Sequence, residues 1–354
     1  MTTPPSPSPT RATPATPGRP ATRTLIGVIV AVPLLIGFVL WAFLWPNARS
    51  GPHELPVGVA GAPQVTAQVA EALEDRGDAF EVREYADADA ARRAIEEREV
   101  YGAFVVDGAG PTEVLTAGAG GASIAQLLVG VAEAQAGASV EVTDVVPAPP
   151  GDPRGAIFGS SLLPLVLAGI ATGVLIVLTG LRGGRALLAL TGAAVGGGLV
   201  ATALTHGWLE VLAGDWWRVA GTLALMVLTG GATVAGLAAL LGRAGIGVGA
   251  LLLMMLGNPW SGAASAPEML PEPVGTLGQW MPTGAGASLL RSVAFFDGNA
   301  AGLPLAVLLG WLLLGVSAML WGARRRREPA APADGRLPEV VAAPSQEAAR
   351  TARP

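Results

Sequence analysis

The sequence contains no cysteine and no lysine. Without cysteine there can be no disulfide, no thiolate zinc site and no cysteine nucleophile. All 22 basic residues are arginine, so a GxxxxGK[ST] phosphate loop cannot be built and nucleotide is not hydrolysed by that route. Histidine is nearly missing too, with His53 and His206 alone in 354 residues. Charged residues make up 14% of the chain, against 51% hydrophobic residues and a mean hydropathy of +0.51. Those are a membrane protein's proportions, and the scarcity of nucleophiles argues against an enzyme.

Long uncharged runs are present in number. Thr24–Trp45, Gly155–Leu181, Ala186–Thr205, Val219–Gly242 and Gly302–Ala323 each meet the ~20 residues needed to cross a hydrocarbon core. A further run, Ala244–Gly257, is short for a span but stays uncharged to Pro267, as a broken or partly re-entrant helix would. The expected fold is therefore an α-helical polytopic membrane protein with six transmembrane helices. The first run is too long for a signal peptide, and NARSGP after it lacks a small-x-small cleavage site, so it reads as a retained anchor. The runs hold hydroxyls (Ser160, Ser161, Thr172, Thr191, Thr233) but no ionisable group. Proton and cation pumps need charged groups inside the membrane, so energy for any transport is expected from a partner.

Arginines set the expected topology. Arg19 and Arg23 precede the first run, Arg182 and Arg185 follow the second, Arg243 follows the fourth, and Arg324, Arg325, Arg326 and Arg327 follow the last. All fall on one side if both termini are cytoplasmic. Residues 47–154 then lie outside, with 18 acidic residues against 7 arginines, 11 net negative charges. Seven of the nine tryptophans (Trp41, Trp45, Trp208, Trp216, Trp217, Trp260 and Trp280) would line the outer interface. Cell-membrane localisation in a bacterium follows.

Five regions result. Residues 1–22 are Pro-, Thr- and Ser-rich and read, like the tail from 323 to 354, as disordered and cytoplasmic. The first transmembrane helix is 23–46. Residues 47–154 alternate strands (LPVGVA, FEVREYA, YGAFVVD, TEVLTAG, SVEVTDVV) with helices (QVTAQVAEALEDRG, DADAARRAIEERE, SIAQLLVGVAEAQ), an inserted extracytoplasmic α/β domain. Asp87 or Asp89 can cap its second helix. GAGGAS (118–123) does not match a dinucleotide GxGxxG, and His53 reads as a surface residue. Residues 155–322 hold the remaining spans. Gly192 with Gly196 and Gly245 with Gly249 form GxxxG pairs that let helices approach closely, within the chain or in a homodimer or heterodimer.

The stretch GNPWSGAASAPEMLPEP (257–273) is neither helix-friendly nor water-loving, and the next apolar run begins only ~30 residues on. Pro259, Pro267, Pro271, Pro273 and Pro282 forbid one long helix, and SLLRSVAFF reads as a short interfacial helix beside Arg291, ended by Asp297-Gly298. Irregular backbone at membrane depth is tolerated only when shielded, so residues 259–301 suggest a lid or re-entrant element at the outer mouth. Its candidates are Pro259, Trp260, Glu268, Pro271, Pro273, Pro282 and Arg291. The alternative is a connecting loop on the surface.

The layout of one span, a large outer domain and five further spans resembles the ABC-2-type exporter permeases, above all their YhgE/Pip-like and DUF3533-like branch. LPVGVAG, the Asp87, Ala91, Ala94, Ile95 run leading into YGAFVVDG, and GNPWSGAASAPEMLPEPVGTLGQWMPTGAGASLLRS carry the resemblance across residues 25–322. It implies short outer helices between spans five and six, with Leu270-Pro271, Pro282 and Arg291 matching the family pattern. It also implies a permease-like subunit that exports a lipophilic or envelope compound with a separate ATP-binding subunit. Two departures concern that partner: the N-terminus is Pro-rich rather than an amphipathic helix, and the inner hairpins are only LRGGR and LGRAG. The competing expectation is a non-transporting envelope protein whose ectodomain binds a partner or senses the surface. Neither calls for a cofactor or nucleic acid; the lipid bilayer is a partner of both.

Overall fold

The computed structural model describes residues 22–75, 77–107 and 110–325. The fold is mostly helical (66%) with one small mixed sheet. In chain order the elements are α1 (Thr22–Ala48), β1 (Leu55–Gly61), α2 (Pro63–Glu74), β2 (Phe80–Tyr85), α3 (Ala88–Glu96), β3 (Gly102–Asp107), β4 (Gly110–Thr116), α4 (Ala122–Ala136) and β5 (Glu141–Asp144). Then come α5 (Ala156–Leu178), α6 (Gly184–Thr202), α7 (Trp216–Leu241), α8 (Arg243–Ala250), α9 (Val274–Gln279), α10 (Pro282–Phe295) and α11 (Gly302–Arg325). Wider π-type turns extend α6 to Trp208 and α8 to Gly257.

The sheet has the order β2-β1-β3-β4-β5, parallel except where β3 meets β4. Alternation along the strands splits its side chains between two faces. Leu55, Val57, Val59, Phe104 and Val114 pack under α2 (Val69, Leu73) and α4 (Ile124, Leu128). Ala60, Ala103 and Leu115 pack on the opposite face under α3 (Ala91, Ala94, Ile95). The alternation of strands and helices along the sequence is therefore real. Of the two cap candidates, Asp87 caps α3, its carboxylate accepting from the Ala90 N–H at 2.7 Å.

Five helices are long and apolar enough to cross a membrane, α1, α5, α6 with its extension, α7 and α11, which marks the chain as a membrane protein. The expected sixth is not among them. Arg243–Gly257 is a shorter apolar helix that stops before the turn carrying Pro259. α1 is almost unpacked, with 6% of its most apolar stretch buried, whereas 67% of that in α7 is buried, with α5, α6, α8, α10 and α11 packed around it. Gly245 and Gly249 of α8 lie against Leu237 and Val234 of α7, the close approach expected of them. Gly192 and Gly196 instead face open space. Hydroxyls in the spans close onto backbone one turn back, as Thr202 does to Gly198 and Thr233 to Thr229, both at 2.8 Å.

The sheet sits at one end of the bundle, its domain end. Arg182 lines a hollow at the other end with Ala239, Gly322 and Ala323, and Arg185, Arg243 and Arg324 belong to the same end of α6, α8 and α11. Arg23 falls in the first turn of α1 and Arg325 closes α11. Arg326, Arg327 and the rest of both tails lie outside the described residues.

Candidate functional site

The segment after α8 is not a surface loop. Ser261, Ala263, Ala266, Leu270 and Val274 along it are all buried. From Gly257 it turns at Pro259 and Trp260, both half-buried, and the Trp260 indole N–H reaches the Ala42 carbonyl of α1 at 3.3 Å. It runs to the sheet, where Pro267 opens a single turn carrying half-buried Glu268. It then returns past buried Pro271 and exposed Pro273 into α9. Pro282 is buried and starts α10, the position at which its missing N–H costs nothing.

One expectation is overturned here. The helix read as SLLRSVAFF and interfacial begins six residues earlier, at Pro282, and is buried along nearly its whole length. The reason is its small first turns, Gly284 to Ala287, which let Met226 of α7 rest against Gly286. Thr283 at its start donates to the Leu253 carbonyl at 3.2 Å, so α10 rises to the domain end from the level at which the α8 limb stops. Close approach is strictest at Gly278, where a Cβ would run into the Trp260 carbonyl oxygen. Gly278→Ala is expected to cost about 1–3 kcal/mol by overpacking, read as a lower thermal midpoint; an unchanged midpoint would show that the segment is looser than it looks.

The α/β domain grips this segment. The Gly51 and His53 N–H groups donate to the Met269 and Glu268 carbonyls at 3.1 and 2.8 Å, so His53, expected at the surface, is half-buried in the junction. The Tyr101 hydroxyl donates to Glu268 Oε2 at 2.7 Å. Arg98 donates to the Ser288 carbonyl at 3.2 Å and to the Ser292 hydroxyl, while Asn299 Nδ2 donates to the Glu96 carbonyl at 3.0 Å. Phe296 enters the core beneath α3 and Ala266 enters the opposite one. The GAGGAS loop serves that contact: Gly120 faces the Phe296 ring and Gly121 the Ser265 carbonyl.

Burial, then the Glu268 carboxylate, pushes the Tyr101 hydroxyl above its ordinary value of 10.0. Burial likewise lowers the Arg98 guanidinium. The Tyr101 contribution to stability is therefore complete below pH ~10 and is lost as pH climbs through the higher folded value. Tyr101→Phe is expected to cost about 1–2 kcal/mol by leaving Glu268 without its donor. It should also flatten the alkaline fall of the thermal midpoint; identical pH profiles would contradict the assignment.

Between domain, segment and the start of α11 lies a cleft of about 620 Å³. Arg98, Glu99, Tyr101 and Phe296 line it from the domain side and the α10 end. Glu268, Glu272, Thr276, Gln279 and Trp280 line it from the segment, and Leu303 and Pro304 from α11. Arg98 and Ala300, both lining residues, have left-handed backbone at φ 61° and 57°. Non-glycine residues hold that conformation only where surroundings enforce it, and such positions gather at functional sites. A second polar layer underlies the cleft: Ser288 donates to Gln279 at 2.6 Å, and Gln279 to the Ser261 carbonyl at 3.0 Å.

Arg291 lies deeper, 3% exposed. It donates to the Ala263 carbonyl at 2.9 Å and stands over the Phe158 ring at 4.9 Å, with its Nε unpartnered. Phe158 belongs to α5, whose first turn is held by the buried Asp152 carboxylate accepting the Phe158 N–H at 2.7 Å. Arg291 thus ties α10, α5 and the segment together.

Of the lid candidates, Glu268 lines the cleft, Trp260 and Arg291 brace the segment, and the prolines shape its turns. Sequence reasoning missed Arg98, Tyr101, Glu272, Gln279, Ser288, Ser292 and Phe296. Among the described residues no group of three or more His, Asp and Glu is placed to hold a metal ion. The arrangement is suited to binding, with carboxylates that form no salt bridge, hydroxyls and aromatic rings around a hollow. Comparison of the chain with protein-family models, with curated proteins and with solved structures gives no match.

Proposed function

We propose that the chain is a permease-like membrane subunit of the ABC-2 exporter type, moving a lipophilic or envelope compound outward with energy from a separate ATP-binding subunit. The observation that carries this reading is the cleft of about 620 Å³, lined by the α/β domain, by the buried segment between α8 and α10 and by the start of α11. A compound leaving the bilayer would meet protein from three directions there. Broken helices that place irregular backbone around a cavity recur in transporters. Taken together, the α8 limb and α10 form one discontinuous crossing, giving six in all. Arginines at the far end favour a cytoplasmic position for it, which sets the α/β domain and the cleft outside a bacterial cell membrane.

Orientation is tested by single cysteines, which need no background removal in a chain without any. Ala86→Cys is expected to react with an impermeant reagent in intact cells and Gly184→Cys only after lysis; the reverse pattern would overturn the outward assignment. Export is tested by deleting the chain and comparing lipophilic compounds inside and outside the cell. At least one compound is expected to shift inward, and an unchanged distribution would contradict transport. The second reading, a partner-binding or sensing envelope protein, is favoured by one feature: among the described residues the turns at the arginine end are only Thr179–Gly183 and Gly242, a small surface for an ATPase. That unchanged distribution, with the domain intact, would select it.

A further inference from the structure

We infer that the cleft selects amphiphiles with a positively charged head, an amine or quaternary ammonium, seated between Glu268 and Glu272. The inference rests on the cleft being the binding site of the proposed function. Four charged residues line the hollow: Arg98, Glu99, Glu268 and Glu272. The one guanidinium is already engaged by Ser288 and Ser292 and lies over Phe296 at 5.2 Å. None of the three carboxylates forms a salt bridge, those among the described residues being Arg83–Glu81 and Arg92–Glu113; Arg98 and Arg291 act on Glu268, and Arg83 on Glu99, only from farther away. Glu268 receives the Tyr101 hydroxyl on one oxygen, Glu272 receives the Thr276 hydroxyl at 3.1 and 3.2 Å, and Glu99 sits at the rim near the Tyr85 hydroxyl at 3.4 Å.

An anionic head would face three carboxylates against one guanidinium, that of Arg98, whose Nη1 is held by Ser288 and Ser292. An uncharged head would remove water from them and return no charge, whereas a cation repays that desolvation. The rings of Tyr101 and Trp280 border the same space and suit a cation further. The tail has its own path. Trp280 and Leu303 at the rim are 59% and 62% exposed, and Leu303 begins the outer turn of a spanning helix, so the cleft opens sideways onto apolar surface.

The test is equilibrium binding to the purified full-length chain in uncharged maltoside micelles, with protein-free micelles subtracted. The probes are hexadecyltrimethylammonium, hexadecanol and hexadecyl phosphate. The ammonium is expected to bind at least about tenfold tighter than the phosphate, and E268Q/E272Q to erase that preference. E99Q/E272Q, which changes two exposed carboxylates outside the domain junction, should weaken the ammonium several-fold at an unchanged thermal midpoint, separating charge loss from misfolding. Equal or tighter binding of the phosphate would overturn the cationic head and leave the cleft standing as a site. Saturable binding of none of the three to folded protein would remove the cleft itself, and the proposed function with it.

Discussion

Phe296→Ala is expected to loosen the hold of the α/β domain on the end of α10. Phe296, which follows the last residue of α10, is 5% exposed and is buried in the core beneath α3, where Phe295 packs beside it, Gly120 flanks its ring and Arg98 covers it. Truncating a buried phenylalanine costs about 3–5 kcal/mol through lost transfer energy and the cavity left behind. The polar contacts around it, Arg98 to Ser288 and Asn299 to Glu96, add only about 1 kcal/mol net each, so the end of α10 loses most of its hold while the bonds of Gly51, His53 and Tyr101 to residues 268 and 269 remain. The core on the other face of the sheet, under α2 and α4, does not contain this ring, so the domain keeps that half of its packing. Trypsin is therefore expected to cut after Arg98 in the variant and to spare that bond in the native protein. An unchanged tryptic pattern and thermal midpoint would show that the junction is held elsewhere.

Arg291 should separate stability from function. A buried guanidinium with an unpartnered nitrogen is a poor way to hold a fold, and an apolar residue of similar length often does as well or better. Arg291→Met is thus expected to keep or raise the thermal midpoint. Arg291→Ala should lose about 3 kcal/mol by opening a cavity between Phe158 and Ala263. Both variants release the Ala263 carbonyl and with it the segment's seat on α10. Export should consequently fall in both, although only one is destabilised. Full export by Arg291→Met at equal protein level would reduce Arg291 to a packing residue.

The α/β domain was legible in the sequence because its signals are local. Leu55, Val57 and Val59 alternate, Ala91, Ala94 and Ile95 recur at helical spacing, and Asp87 supplies a cap. Five of the six expected spans were legible for the same reason, since apolar length is additive along the chain. Two features escaped. The start of α10 was hidden because Gly284, Ala285, Gly286 and Ala287 carry no amphipathic contrast; only packing against Met226 makes them helix. The cleft was hidden because its walls meet largely through carbonyl oxygens, those of Glu96, Glu268, Met269 and Ser288, which any residue would supply. Arg98 and Ser292 are 194 positions apart, and the left-handed backbone of Arg98 leaves no mark on a single sequence. The prolines did announce an interrupted path at 259–282, but not that it would be buried.

The central claim, that an exported compound passes through the cleft, is tested most directly by closing it. Thr276 of the segment and Leu303 of α11 are both exposed and both line the cleft, and a chain without cysteine lets the pair Thr276→Cys and Leu303→Cys be bridged without side reactions. The measurement is efflux, from cells, of whichever compound deletion of the chain retains, before bridging, after bridging with a cleavable bifunctional thiol reagent, and after its reductive cleavage. Efflux is predicted to stop on bridging and to return on cleavage, with each single-cysteine variant unaffected by the reagent. Undiminished efflux from fully bridged protein would contradict the account.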